Sequence, residues 1–251
     1  MPLGILPKGM TLPILQGTLR GKKWVVGSSN HGCWLGSYEY EKQRLFERTV
    51  KEGFTVFDVG AHVGFYTLLA SALVGATGKV FAFEPLPRNL RYLREHLRRN
   101  HVVNVSVVEA AVSDRSGFAF FEEGKGHSTG HLAPGGRLRV RTVTLDELVF
   151  QDGLPPPNCI KIDIEGAEML ALTGAQSLLS NYRPSIFLAT HGHEIHRECC
   201  RFLASLKYEL RSIGRTSLDR ADEIIALGQE SCPLGARGGQ AFRPGQRSIA
   251  S

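Results

Sequence analysis

From residue 54 onward, short runs of β-branched and aromatic residues alternate with longer segments whose apolar positions recur at helical spacing. Phe54–Val59, Lys79–Glu84 and Val105–Val112 predict strands, with helices over Phe65–Leu73 and Arg88–Asn100 between them. In the second helix Leu90, Leu93 and Leu97 mark one buried face, with charge elsewhere. Pro85 and Pro87 close the second strand, because proline brings no N–H to a ladder. Phe118–Thr144 breaks the alternation and reads as a hairpin, with a Gly- and His-containing loop over 124–136. The alternation resumes with a strand at Cys159–Asp163, a helix at Ala167–Leu179, a strand at Ser185–Thr190 and a helix at Glu194–Leu206. Tyr208–Ile213 and Glu223–Leu227 predict a closing antiparallel pair. Such an order implies an α/β, Rossmann-like fold: a mainly parallel sheet with helices on both faces.

Upstream, Trp24–Val26 predicts a strand and Glu39–Lys51 a helix, so residues 1–50 read as an N-terminal cap or lid on a domain over 51–230. The Gly/Pro/Arg/Ser-rich stretch 235–251 reads as a disordered tail.

Composition adds limits. At 251 residues and 42% hydrophobic content the chain is long and apolar enough for one α/β domain with a sizeable core. No apolar run approaches the roughly 20 residues that span a bilayer. The start, Met1-Pro-Leu-Gly-Ile-Leu-Pro-Lys8, is too short and proline-broken for a signal peptide, which makes the cytoplasm the expected location. Five cysteines without a Cys-x-x-Cys pair read as reduced, mostly buried thiols. The net charge of +6 gathers on Arg88, Arg91, Arg94, Arg98 and Arg99 and near the C-terminus. Basic residues without interleaved aromatics read as a solvated face, so no stable nucleic-acid partner is expected.

Candidate chemistry centres on Asp58-Val-Gly60-Ala-His-Val-Gly64, where a strand feeds a helix. Glycines there let backbone approach a ligand, and the helix start offers unpaired N–H groups. Dinucleotide sites use Gly-x-Gly-x-x-Gly to hold a pyrophosphate. Here the spacing is Gly-x-x-x-Gly, and Asp58 stands two residues before the first glycine. A carboxylate repels pyrophosphate but supports the ammonium of S-adenosylmethionine (SAM), directly or through water. Glu84 ends the second strand about 20 residues on, where a carboxylate accepts from both ribose hydroxyls. NAD enzymes share that feature, so Glu84 alone does not discriminate. Residues around Glu109–Ser113, ending the third strand, are expected to flank the adenine.

These residues lie in stretches that resemble the FkbM family of SAM-dependent methyltransferases. The matching segments are 57–67, Phe83-Glu-Pro-Leu-Pro-Arg-Asn89, Ala110-Ala-Val-Ser-Asp114, Thr144-Leu-Asp-Glu147 and Ile160-Lys-Ile-Asp-Ile-Glu-Gly-Ala-Glu168, with a lead-in at Leu35-Gly-Ser-Tyr-Glu39. The resemblance covers about residues 12–215. It implies the class I methyltransferase fold, seven-stranded with an antiparallel closing strand, and O-methylation of a small molecule, saccharide or glycolipid. It also implies a SAM site made by Asp58, Gly60, Ala61, His62, Gly64, Tyr66, Glu84, Pro85, Asn89 and Ala111. This chain departs from the family at His62, where Asn is commoner, and at Thr190-His191-Gly-His193, where many members place a Glu before the His.

Asp58, Glu84, Asp163 and His191 all fall at predicted strand ends, the edge where α/β sheets bind ligands. Methyl transfer to a hydroxyl needs alignment and removal of a proton. Asp163, Glu165 and His191 are therefore the catalytic candidates, with helix capping the competing role for Glu165 and Glu168. Asp163-x-Glu165 with a distant His191 is not diagnostic of a metal site, and none is expected. Trp34, Tyr38 and Tyr40 either lid the site or pack against the sheet edge; His127, His131 and His193 read as loop residues. Strand four ends in Ile-Asp-Ile-Glu165, unlike the Asn/Asp-Pro-Pro-aromatic ending of enzymes acting on flipped bases, which disfavours nucleic-acid methylation. A non-catalytic SAM-binding module is the remaining alternative.

Overall fold

The apolar runs assemble into one seven-stranded sheet because the inner strands are buried on both faces and must be covered twice. In the computed structural model, which describes residues 7, 9–123, 130–132 and 136–228, the sheet is built from β3 (Thr55–Val59), β4 (Lys79–Phe83), β5 (Val105–Val108), β10 (Cys159–Ile162), β11 (Ser185–Ala189), β12 (Tyr208–Ser212) and β13 (Glu223–Gly228). The strand order is β12-β13-β11-β10-β3-β4-β5. Neighbours from β5 through β11 run parallel, and β13 is antiparallel to both β11 and β12. The closing antiparallel pair expected from the sequence is present.

One face of the sheet is covered by α2 (Tyr40–Thr49), α3 (Phe65–Val74) and α4 (Pro87–Arg99). The other is covered by α5 (Leu145–Phe150), α6 (Glu168–Thr173), α7 (Gln176–Tyr182) and α8 (His193–Ser205). Alternation along each strand divides its side chains between the two layers: Val56 faces the first cluster and Phe57 and Val59 the second. Helix α4 starts on Pro87 at its first position and ends with His96, Arg98 and Arg99 in its last turn, both favourable placements. Its arginines are largely paired locally: Arg98 and Arg99 with Glu95, Arg94 with Glu109.

The N-terminal residues bring β1 (Thr11–Pro13), β2 (Lys23–Val25) and the short α1 (His31–Leu35) ahead of α2. Ile14, Leu19, Trp24, Cys33, Trp34 and Phe46 lie in the same hydrophobic cluster as α3 and α4. Trp24 stacks on His96 at 3.9 Å. That imidazole accepts from the Val25 N–H and reaches the Val63 carbonyl oxygen at 2.7 Å; burial lowers its pKa to about 4, so it is neutral.

Three segments differ from the sequence reading. The expected third strand divides: after β5 the chain turns at Glu109-Ala110, with Ala110 N–H bonded to Val108 O. It then forms β6 (Ala111–Val112) in a separate sheet of order β6-β9-β7-β8, with β7 (Gly117–Glu123), β8 (Gly130–Leu132) and β9 (Leu138–Val143). β5 is the edge of the large sheet, so the chain leaves it without breaking an inner ladder. The predicted hairpin is the β7–β9 pair. The expected helix 167–179 is two helices, because the Gly174 carbonyl accepts from Asp146 N–H and Gly174 lies against Ser113 too closely for any side chain. Thr144-Leu-Asp-Glu147 is the start of α5: Thr144 Oγ1 accepts from Glu147 N–H at 3.1 Å, and Asp146 accepts from the N–H groups of Ser177 and Leu178. Cys33, Cys159 and Cys199 are buried free thiols and Cys200 is half-buried. Among the described residues no helix is long and apolar enough to cross a membrane. The tail over 235–251, Cys232 and the side chains of His127 and His131 lie outside the described residues.

Candidate active site

The carboxyl ends of β3, β4, β10 and β11 open onto two adjoining cavities. The larger, about 510 Å³, is bounded by the glycine turn after β3, the N-terminal segment around Tyr38 and Glu39, and the ends of β10, β11 and β13. The smaller lies between that turn, the end of β4 and β6. Gly60, His62, Asp163 and Glu165 line both. The four form the seam between the two cavities.

The turn holds its shape by necessity. Gly60 has φ +77°, and a Cβ there would overlap the Asp163 carbonyl oxygen, so β3 and β10 meet closely only through glycine. Gly64, φ +94°, faces the Leu93 side chain and serves the packing of α3 on α4; it lines neither cavity. His62 and Glu165 are also left-handed, at φ 51° and 52°. Non-glycine residues in that region are uncommon, and two of them stand at one seam.

Glu84 ends β4 in the smaller cavity, among Phe83, Leu86, Ala111, Phe121 and Ile164. Its carboxylate accepts from the N–H groups of His62 (2.8 Å) and Leu86 (2.9 Å) and from Asn89 Nδ2 (3.2 Å). Burial raises its pKa to about 7 against those hydrogen bonds. Pro85, Asn89 and Ala111 line the same cavity, and Ala61 and Tyr66 line the larger one. A carboxylate beside the apolar side chains of Phe83, Leu86, Ala111, Val112, Phe121 and Ile164 fits a ribose diol next to a flat heterocycle, so the residues present fit the nucleoside half of SAM.

Asp58 stands elsewhere than expected. Its side chain lines neither cavity; it is 1% exposed, accepts from Thr67 Oγ1 at 2.6 Å and lies 3.6 Å from Lys161 Nζ. Register sets that contact: Lys161 is the partner of Asp58 across β3 and β10. Lys161 Nζ donates to the Gly60 carbonyl at 2.9 Å and lies 3.6 Å from Asp163 Oδ2. One buried ammonium thus ties the turn, Asp58 and Asp163 together, a position the sequence reading passed over although its motif contains it. Burial raises the Asp163 pKa, but Lys161, Lys42 and His191 outweigh it and hold the carboxyl below its ordinary value.

His191 follows β11 and reaches back across the sheet end. Its Nδ1 lies 2.6 Å from Glu168 Oε1, and Glu168 is fully buried and also accepts from Gly166 N–H at 3.0 Å. A carboxylate only accepts, so Nδ1 is the donor, and in the neutral form of the ring Nε2 is the free acceptor edge. Nε2 sits 3.8 Å from Asp163 Oδ1 and 3.7 Å from Glu165 Oε2. The hydrogen bond to Glu168 raises the His191 pKa, opposed by burial and helped by the charges of Glu165 and Asp163. The structure therefore brings Asp163, Glu165 and His191 together, and adds Glu168 as the partner of His191 rather than only a helix cap. His193 is exposed at the start of α8, Trp34 is buried in the core and Tyr40 faces solvent; of the N-terminal aromatics, Tyr38 lines the cavity. Glu39, Asp222 and Glu223 also line it; only Glu39 lay in a recognisable segment, since Asp222 precedes and Glu223 starts the closing strand without a motif.

Comparison with known proteins agrees with this geometry. Residues 58–210 match the family described as Methyltransferase FkbM domain. The chain is 26% identical to the hexuronic acid methyltransferase AglP of Haloferax volcanii over 189 residues, 74% of this chain and 75% of that protein. A crystal structure of Methyltransferase FkbM from Methylobacillus flagellatus KT superposes with a TM-score of 0.54 at 17% identity, over 79% of this chain. The match spans 55% of that protein's chain, little more than half its length.

Proposed function

This chain belongs to the FkbM methyltransferase family, and from that premise we propose that it transfers a methyl group from SAM to a hydroxyl of a saccharide or related small molecule. The observation that carries the reading is the seam, where a nucleoside-shaped slot and a larger polar cavity share Gly60, His62, Asp163 and Glu165. SAM, when bound, supplies an electrophilic methyl on a sulfonium. In this reading Glu84 takes the ribose hydroxyls, Pro85, Asn89 and Ala111 shape the nucleoside slot, and Gly60, Ala61, His62 and Tyr66 border the rest of the donor. Asp58 and Gly64 support the site from behind.

On the acceptor side, Nε2 of His191 stands 3.7–3.8 Å from Asp163 and Glu165, too far for direct hydrogen bonds. Neutral Nε2 and the carboxylates all only accept, so the reacting hydroxyl donates to Nε2 and a neighbouring hydroxyl of the acceptor donates to Asp163. Asp163, held ionised by Lys161, accepts from that neighbouring hydroxyl and so orients the acceptor. Neutral His191, its Nδ1–H fixed by Glu168, takes the proton at Nε2, and the hydroxyl oxygen gains the lone pair for in-line attack. The aromatic rings of Tyr38, Phe65 and Tyr66 beside carboxylate acceptors suit the mixed surface of a sugar. The saccharide relative is consistent with this acceptor class. We place the reaction in the cytoplasm, in keeping with the buried free thiols.

The test is calorimetric titration with SAM and S-adenosylhomocysteine, followed by incubation with labelled SAM and fractionated cell extract. Binding of either, with label appearing in a saccharide, is expected. Absence of binding sinks the reading.

A further inference from the structure

We propose that the acceptor cavity selects a sugar without acid groups, neutral or amine-bearing, and rejects uronates. The inference rests on the methyl-transfer reading above and adds the charge class of its acceptor. Five carboxylates line the cavity (Glu39, Asp163, Glu165, Asp222 and Glu223) against the ammonium of Lys161 and the imidazoles of His62 and His191. Lys161 already faces two carboxylates, Asp58 and Asp163. Lys42, almost wholly buried in the wall, is shared between Glu39 at 2.5 Å and Glu223. His191 faces Asp163, Glu165 and Glu168. These three basic groups are thus engaged by carboxylates before an acceptor arrives, and acid remains in excess.

The donor's own positive charge offsets part of that excess, so position decides. Glu223 begins β13 and Asp222 directly precedes it, three places from β3 in the order β13-β11-β10-β3. At about 4.8 Å per strand they lie roughly 14 Å from the glycine turn, on the side away from the nucleoside slot. Their charge therefore bears on the acceptor. A second feature points to a ligand at the same wall: Tyr66 is 4% exposed, lines the cavity, and its hydroxyl makes no hydrogen bond of good geometry although Glu39 is near. A sugar hydroxyl satisfies that group and donates to the carboxylates, as an ammonium also does. A uronate brings an acceptor-only anion to a wall of anions, a repulsive contact that discriminates by charge. On this point the chain separates from its relative in Haloferax volcanii, whose name specifies a hexuronic acid.

The experiment is saturation-transfer NMR on the full chain loaded with S-adenosylhomocysteine, using methyl glucoside, methyl glucosaminide and methyl glucuronide as probes. The expected result is binding of the neutral or amino glycoside, with the glucuronide weaker by roughly tenfold or more. Asp222→Asn should narrow that gap. Glucuronide binding as strong as the others, a gap unmoved by Asp222→Asn, or binding of none of the three overturns the inference. Failure to bind S-adenosylhomocysteine overturns the methyl-transfer reading beneath it, which separates the two.

Discussion

Lys161→Met removes the ammonium that joins the glycine turn to Asp58 and Asp163 while keeping most of the side-chain volume. Lys161 and Asp58 are 6% and 1% exposed and 3.6 Å apart. At that distance, with an effective dielectric near 20, their attraction is about 4–5 kcal/mol. Removing one partner of a buried ion pair typically costs about 3–5 kcal/mol, because the other charge stays behind without compensation. Asp163 contributes less, since its 24% exposed side chain can turn to solvent in the cavity. The Gly60 carbonyl loses its donor as well. The two routes agree on a loss of about 4 kcal/mol, which for a chain of this size corresponds to a melting point lower by roughly 10 °C. Urea denaturation followed by tryptophan fluorescence and circular dichroism measures it. Adding Asp58→Asn should recover part of the loss by removing the stranded charge, and the double-mutant cycle isolates the coupling. A loss under about 1 kcal/mol, or a double variant no more stable than Lys161→Met, refutes the claim that this lysine ties the site together.

Three further outcomes follow from the geometry. His191 acts as a base only when neutral and its pKa is raised, so the methyl-transfer rate should climb with pH along a limb centred above the ordinary histidine value. Glu168→Gln should move that limb to lower pH, His191→Ala should cost roughly 10²–10⁴ in kcat, and an unmoved limb in Glu168→Gln counts against the pairing. Glu84, with a pKa of about 7, loses an acceptor oxygen on protonation; SAM affinity measured by calorimetry should weaken as pH falls from 8 to 6, and Glu84→Gln should abolish that dependence. In Gly60→Ala the new methyl meets the Asp163 carbonyl and the left-handed backbone adds strain, so thermal unfolding should show a loss of about 2–4 kcal/mol together with weaker SAM binding.

Periodicity and turn chemistry fixed the strand and helix order, the antiparallel closing pair and the existence of a glycine turn, because each is a local property of a few adjacent residues. Asp163, Glu165 and His191 were legible as strand-end residues for the same reason: an α/β sheet gathers such ends on one edge whatever its loops do. The sequence could not say where Asp58 points. Only the β3–β10 register sets Lys161 opposite that carboxylate and makes it a buried ion-pair partner. Nor could local reasoning place Glu168 beside His191, 23 residues on, or bring Glu39, Asp222 and Glu223 to one wall, since these meetings depend on how α6, α8, α2 and β13 pack over the sheet. The segments after β5 and at Gly174 were misread because their breaks are made by hydrogen bonds to distant chain, Thr142 and Val143 of β9 in one case and Asp146 in the other. Residue type and spacing determined what chemistry the chain carries; tertiary packing alone decided which of those groups face the ligand and which hold them in place.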